Sequence, residues 1–192
     1  DRAEAKMEGR FGPIVFELLY PEALALGLVS PILVEWIYVD GPNPCAGKRG
    51  TAKDRHGIWR HERRNAKIAA RVKEFADDVQ ILVLAATVEH AVELKQFLPD
   101  FKLCYDKMDP PGRYQKYVEQ GWLDPADEPP MNSHRRRMLR EAFEKRELLR
   151  VIATDVWATG VDFEQLEVVV RADGRCSEIL DYQGPGRVSR VH

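Results

Sequence analysis

The first residues whose type and spacing suggest chemistry are Arg187 and Arg190, in Gln183-Gly-Pro-Gly-Arg-Val-Ser-Arg190. Three positions apart on a helical turn, they project from one face. Two planar guanidinium forks match the oxygens of a triphosphate. On their own they read more simply as a solvated helix face. The stretch from Val151 to Phe163 (VIATDVWATGVDF) adds to them. There Thr154 and Asp155 follow a buried-strand pattern, and Gly160 permits close backbone approach ahead of Asp162.

A second constellation is basic. Between Lys48 and Arg64, seven Lys or Arg (48, 49, 53, 55, 60, 63, 64) oppose two acids, Asp54 and Glu62, with Trp59 among them. A basic loop holding an aromatic can grip a nucleic-acid backbone and stack on a base. A solvated loop with Trp59 turned into the core fits the same residues equally well. Arg135, Arg136 and Arg137 form another cluster, expected as an exposed helix start.

Several chemistries lack their residues. A phosphate cradle of the G-x-x-x-x-G-K-[ST] type has only a misfit, Gly41 to Arg49, with one residue too many and Arg where the magnesium-binding hydroxyl belongs. No Asp-Glu box for magnesium and no GxGxxG occur. Asp77-Asp78 and Asp106/Asp109 read as turn residues rather than paired catalytic carboxylates. His56 and His61 near Cys45 lack the paired tight spacing of a zinc site, so no metal ligands are expected.

These residues need elements to position them. Pro21 to Gly27 suits a short helix with Pro at its start and Gly past its end. Leu33 to Val39 alternates like a strand, and Gly41 to Gly57 reads as loop. Arg64 to Ala76 has helical spacing. Gln80 to Ala85 is an apolar run of the kind a strand buried on both faces requires. Thr87 can cap a helix over Val88 to Leu98. Phe101 to Tyr105, Arg150 to Thr154 and Leu166 to Arg171 are further strands, with a helix from His134 to Arg146 and another over Ser177 to Gln183. Residues 106–133, rich in Pro, Gly and Asp, are expected as an insertion or mobile loop. Alternating buried strands and helices predict an α/β fold with a parallel sheet covered on both faces. Ligands then bind beyond the strands' carboxyl ends, after Ala85, Ala153 and Ala172.

The order of these elements resembles the second RecA-like lobe of superfamily 2 helicases and translocases. ATDVWATGVDF looks like that family's motif V and QGPGRVSR like its motif VI, Q-x-x-G-R-x-x-R. QILVLAATVEHAVELKQFL resembles motif IV with its following helix, and Arg137 to Phe143 the helix that precedes motif V. FGPIVFELLYPEALALGLVSPI is similar to the segment joining the two lobes in repair- and phage-type DEAD/DEAH-like helicases. The likeness spans the chain except residues 41–63 and 106–133. One departure is Gly184, where the family often has Arg. The chain is thus expected to divide into an inter-lobe segment and first strand (1–40), a basic loop (41–63) and a RecA-like domain (64–192).

The resemblance implies an ATP-dependent motor half. Arg187 and Arg190 would be arginine fingers reaching the γ-phosphate of ATP, and Gln183 would orient their helix or touch the nucleotide. Gly160 and Asp162 would couple the nucleotide cleft to the nucleic-acid track. Thr87 and Thr154, at strand ends, would donate hydrogen bonds to backbone phosphates, with Lys48, Arg49 and Trp59 as further nucleic-acid contacts. ATP and Mg2+ would be held mainly by a missing N-terminal RecA-like lobe, so this piece alone would not hydrolyse ATP. DNA is the expected track, with RNA left open.

Composition bounds these readings. At 44% hydrophobic and 31% charged residues, the chain has the profile of a soluble globular protein. It holds no run of about 18 apolar residues, so a membrane helix and a membrane partner are not expected. Three scattered cysteines, Cys45, Cys104 and Cys176, suit a reducing compartment and a cytoplasmic location. With a net charge of −2, any nucleic-acid contact must be local. Beginning Asp1-Arg2-Ala3 without initiator Met or signal segment, the chain is expected to be a piece of a longer protein. The neutral balance and the absent phosphate cradle leave a rival: a non-catalytic RecA-like module that binds nucleic acid or a partner protein.

Overall fold

The computed structural model of the chain describes residues 19–108, 110, 112–157 and 163–174. In chain order these form α1 (Tyr20–Ala25), α2 (Gly50–Asp54) continued by a π turn over Arg55–Trp59, α3 (Glu62–Val72), β1 (Ile81–Leu84) and α4 (Val88–Phe97). There follow β2 (Lys102–Cys104), α5 (Arg113–Glu119), α6 (Ser133–Glu144), β3 (Arg150–Ala153), a 3-10 turn over Asp155–Trp157, and β4 (Val168–Arg171).

The four strands make one sheet in the order β2-β3-β1-β4, with every pair parallel. Leu82 stands opposite Val151 on one side and Val169 on the other, so β1 is central. Its four residues, Ile-Leu-Val-Leu, are all buried, as a strand covered on both faces demands. Alternation sorts the side chains. Ile81, Val83, Leu103 and Ile152 pack under α3 and α4 with Ile68, Val72, Val92 and Leu94. Leu82, Leu84, Val151 and Ala153 face the other way, against Phe143 of α6 and against Trp157, Phe163 and Leu166. This is the expected α/β architecture, and it is that of a RecA-like lobe.

Side-chain caps start the main helices. Thr87 Oγ1 accepts from the His90 amide at 3.2 Å, and Asn132, one residue before the expected Ser133, accepts from the Arg135 amide at 2.8 Å. His61 Nδ1 takes that role for α3, accepting from the Arg64 amide at 2.9 Å.

Three segments differ from expectation. Leu33 to Val39 forms no strand and pairs with nothing in the sheet. Instead it is strapped to α3 by polar bonds, Arg71 to Glu35 at 2.8 Å and Lys67 to Asp40 at 2.8 Å, with Ile37 packed on the core. Residues 41–63 are not loop throughout, since α2 and the π turn occupy 50–59. Residues 106–133 contain α5 and are anchored by buried Tyr117, Leu123 and Glu128. The helix expected over Ser177 to Gln183 lies outside the described residues.

Candidate nucleic-acid and nucleotide site

The parallel sheet sends the ends of β1 and β4 to the same edge, where Leu84 pairs with Arg171. Beyond them lies a cleft of about 210 Å³, lined by Ala86 and Thr87 after β1, Asp173 and Gly174 after β4, and Asp54, Ile58 and Trp59 from the helical segment opposite. Its position is where an α/β sheet binds ligands. Gly174 closes one side. Its φ is +65°, a left-handed backbone that favours glycine, and a Cβ there would sit 2.6 Å from Ile58 Cδ1, so any larger residue would be strained and would displace Ile58.

Thr87 is partly exposed and spends a lone pair on capping α4, which leaves its hydroxyl proton to donate into the cleft. It stands at the positive end of a ten-residue helix, where anions are favoured. Trp59 is half-buried, with the Arg55 guanidinium 5.7 Å from its ring centroid. One face of the cleft can therefore meet a phosphate and the opposite face a base.

Two polar side chains outside the cleft lining, Arg64 and His90, bond to the strand ends beside it. Arg64 Nη2 donates to the Ala172 carbonyl at 2.8 Å, closing the end of β4. Its burial lowers its pKa, against the opposing charge of Asp173. His90 is fully buried, its Nδ1 accepting from the Ala86 amide at 3.2 Å. Burial, reinforced by Arg64, pushes its pKa down to about 3, so the imidazole is neutral at any ordinary pH. Asp173, half-buried at the cleft, is itself paired with Arg171 at 3.3 Å, which offsets its charge.

Of the ten residues singled out by sequence, the structure brings Thr87 and Trp59 together across this cleft. Thr154 follows β3, the strand next to β1, but is only 4% exposed. Its amide donates to the Cys104 carbonyl at 3.0 Å and its carbonyl accepts from Trp157 at 3.2 Å. Lys48 and Arg49 sit on the turn before α2, outside the cleft lining, with the Lys48 amide bonded to the Cys45 carbonyl at 2.9 Å. Gly160, Asp162, Gln183, Arg187 and Arg190 lie outside the described residues. On either side of 158–162, Trp157 and Phe163 are buried in one aromatic cluster with Phe143, at centroid distances of 5.4 and 4.8 Å.

The basic stretch is largely committed to the protein itself. Arg55 and Arg60 bind Glu89, Arg63 lies 3.7 Å from Asp40, and Arg64 is bonded to the Ala172 carbonyl. Glu89 and His90 escaped the sequence reading because an acid and a histidine on a helix carry no signal of their own. Only the chain's return at residues 50–60 gives Glu89 its partners, and the partner of His90 is a backbone amide, that of Ala86. Among the described residues, no three His, Cys, Asp or Glu converge to hold a metal, and no helix is long and apolar enough to cross a membrane. Cys45 and Cys104 are free thiols, with burial pushing the Cys104 pKa up to about 12.

Comparison with known families gives one match. Residues 65–192 fit the model of the helicase conserved C-terminal domain. No curated protein matches the chain.

Proposed function

The chain belongs to the helicase conserved C-terminal domain family, as the C-terminal lobe of a superfamily 2 helicase, and from that premise we propose that it is the second motor half of an ATP-dependent helicase or translocase of the repair and phage type acting on DNA. The observation that carries the track is the pairing of Thr87 and Trp59 across the cleft at the sheet's carboxyl edge. Thr87 and the amino end of α4 receive a backbone phosphate while Trp59 stacks on a base, contacts that grip without reading sequence. Lys48 and Arg49, outside the cleft lining, extend that grip, whereas buried Thr154 supports the end of β3.

Arg187 and Arg190 act as fingers toward ATP held by an N-terminal lobe, with Gln183 setting their helix and Gly160 and Asp162 linking the two clefts. Their guanidinium groups neutralise charge that develops on the transferred phosphoryl group, a contribution of ~10³–10⁵ in rate for a finger in phosphoryl-transfer enzymes. The sequence carries neither a phosphate cradle nor an Asp-Glu box, so the reading assigns ATP and Mg2+ to the N-terminal lobe and expects no ATP hydrolysis by the chain alone. Three sparse cysteines, of which Cys45 and Cys104 are free among the described residues, support a cytoplasmic location.

The test is nucleic-acid-stimulated ATP hydrolysis by the longer protein carrying both lobes. Arg187→Ala is expected to lower kcat by ~10³ or more while oligonucleotide binding persists. Undiminished turnover in that variant would overturn the finger assignment. Gly184 and the net charge of −2 favour a second reading, a non-catalytic binding module. Absence of a phosphate-cradle lobe in the same gene would select it.

A further inference from the structure

Helix α4 does more than present Thr87. Two residues further on, Glu89 is only 5% exposed, yet it accepts from two arginines of the opposite wall. Arg55 donates through Nε at 3.0 Å and Nη2 at 3.3 Å, and Arg60 through Nε at 2.6 Å. Arg60 also lies 3.7 Å from Glu93. These two arginines bracket Trp59 in the chain, and Arg55 stands over its ring. Neither α2 nor the π turn buries a single residue in the core. The wall that carries Trp59 is therefore tied down by charge at one carboxylate, together with one neutral bond, from Asn65 Nδ2 to the Trp59 carbonyl at 3.0 Å.

We propose that Glu89 is a positioning residue: by holding Arg55 and Arg60 against α4 it keeps Trp59 at the cleft, and so sets the chain's grip on single-stranded nucleic acid. This rests on the reading of Trp59 as a stacking residue. The sign of the effect separates it from plain electrostatics. An acid next to a nucleic-acid surface repels phosphates, so its removal alone tightens binding. Positioning requires the reverse.

The measurement is fluorescence anisotropy of a labelled single-stranded oligothymidylate with the 192-residue chain, as wild type, Glu89→Gln, Trp59→Ala and the double variant. Loss of a stacking aromatic is expected to weaken binding about fivefold or more. Glu89→Gln should weaken it by a similar factor, and the double variant no further than Trp59→Ala alone. Binding by Glu89→Gln as tight as wild type, or tighter, overturns the proposal while Trp59→Ala still weakens. Independent, multiplying factors overturn it too. No effect of Trp59→Ala overturns the stacking reading itself, a separate outcome. Should Glu89→Gln fail to fold, Arg60→Gln, half-exposed, carries the test. Weaker binding at an unchanged salt slope, not compounded by Trp59→Ala, supports positioning. A slope smaller by about one makes Arg60 a phosphate contact instead and overturns it.

Discussion

Two stretches that look like loop in the sequence, residues 41–63 and 106–133, are both folded against α4, and both are held there by a buried carboxylate. They differ in what surrounds it. Glu89 meets Arg55 and Arg60, whose side chains are 38% and 49% exposed, and no core residue comes with them. Glu128 meets Lys95 at 9% and Arg135 at 22% exposure, receives the Leu103 amide at 3.1 Å, and arrives with Tyr117 and Leu123 buried in the core. The same ion-pair chemistry thus makes a solvent-accessible latch on one side of α4 and a built-in wall on the other. Burial of the partners, more than the carboxylate itself, decides which segment can open.

The largest effect should come from the wall. Glu128→Ala leaves the Leu103 amide without its acceptor and Lys95 with less compensation. Removing one partner of a buried pair costs ~3–5 kcal/mol, and the low end, about 3, is expected here. Lys95 keeps the Pro99 and Phe101 carbonyls, at 2.6 and 2.7 Å. Glu128→Gln should cost clearly less, because burial already holds this carboxyl above its ordinary pKa despite its cationic neighbours. Urea unfolding at neutral pH orders the two variants. Equal losses would mean that charge, not shape and hydrogen bonding, holds the wall.

Between the two carboxylate anchors lies His90, buried on the same helix with no countercharge. Its folded pKa of about 3 is far below the value of about 6.5 for an exposed histidine, so the unfolded chain binds the extra proton in between. The stability this confers is complete above pH 6.5 and is lost as the pH falls toward 3. From pH 6.5 to 5 the loss should be about 2 kcal/mol. The slope should flatten in His90→Gln, measured by urea unfolding across that range. An unchanged slope would mean that His90 is not the source of the acid sensitivity.

How much of this was legible beforehand follows from what each element needs. β1, β3, β4 and α4 need only their own residues: continuous apolar runs and a Thr cap state them locally. Leu33 to Val39 alternates as a strand does, yet a strand also needs a neighbour, and alternation says nothing about whether one exists. Helix α5 lies between Pro and Gly at residues 110–112 and Gly121, and its seven residues bury only Tyr117, too little for a period to show. The cleft was readable in part, because Thr87 marks a strand end and Trp59 stands out among basic residues. Their meeting depends on contacts 28 or more residues apart in the chain, Arg60 with Glu89 and Arg64 with Ala172. No local pattern encodes these.

The smallest global effect should come from the latch, and it is the most informative about the comparison. Because Arg55 and Arg60 regain water when released, Glu89→Gln should cost about 1 kcal/mol or less of overall stability. Locally the change should be larger, since no residue of the segment is fully buried and Ile58 and Trp59 are only half-buried. Hydrogen exchange of amides 50–60 is expected to quicken severalfold, while residues 112–131 exchange as in wild type. Equal quickening in both segments would mean that α4 itself loosens and that latch and wall are one cooperative unit. Quickening confined to residues 50–60 would make this the element free to move when nucleic acid enters the cleft, with the wall beyond β2 fixed behind it.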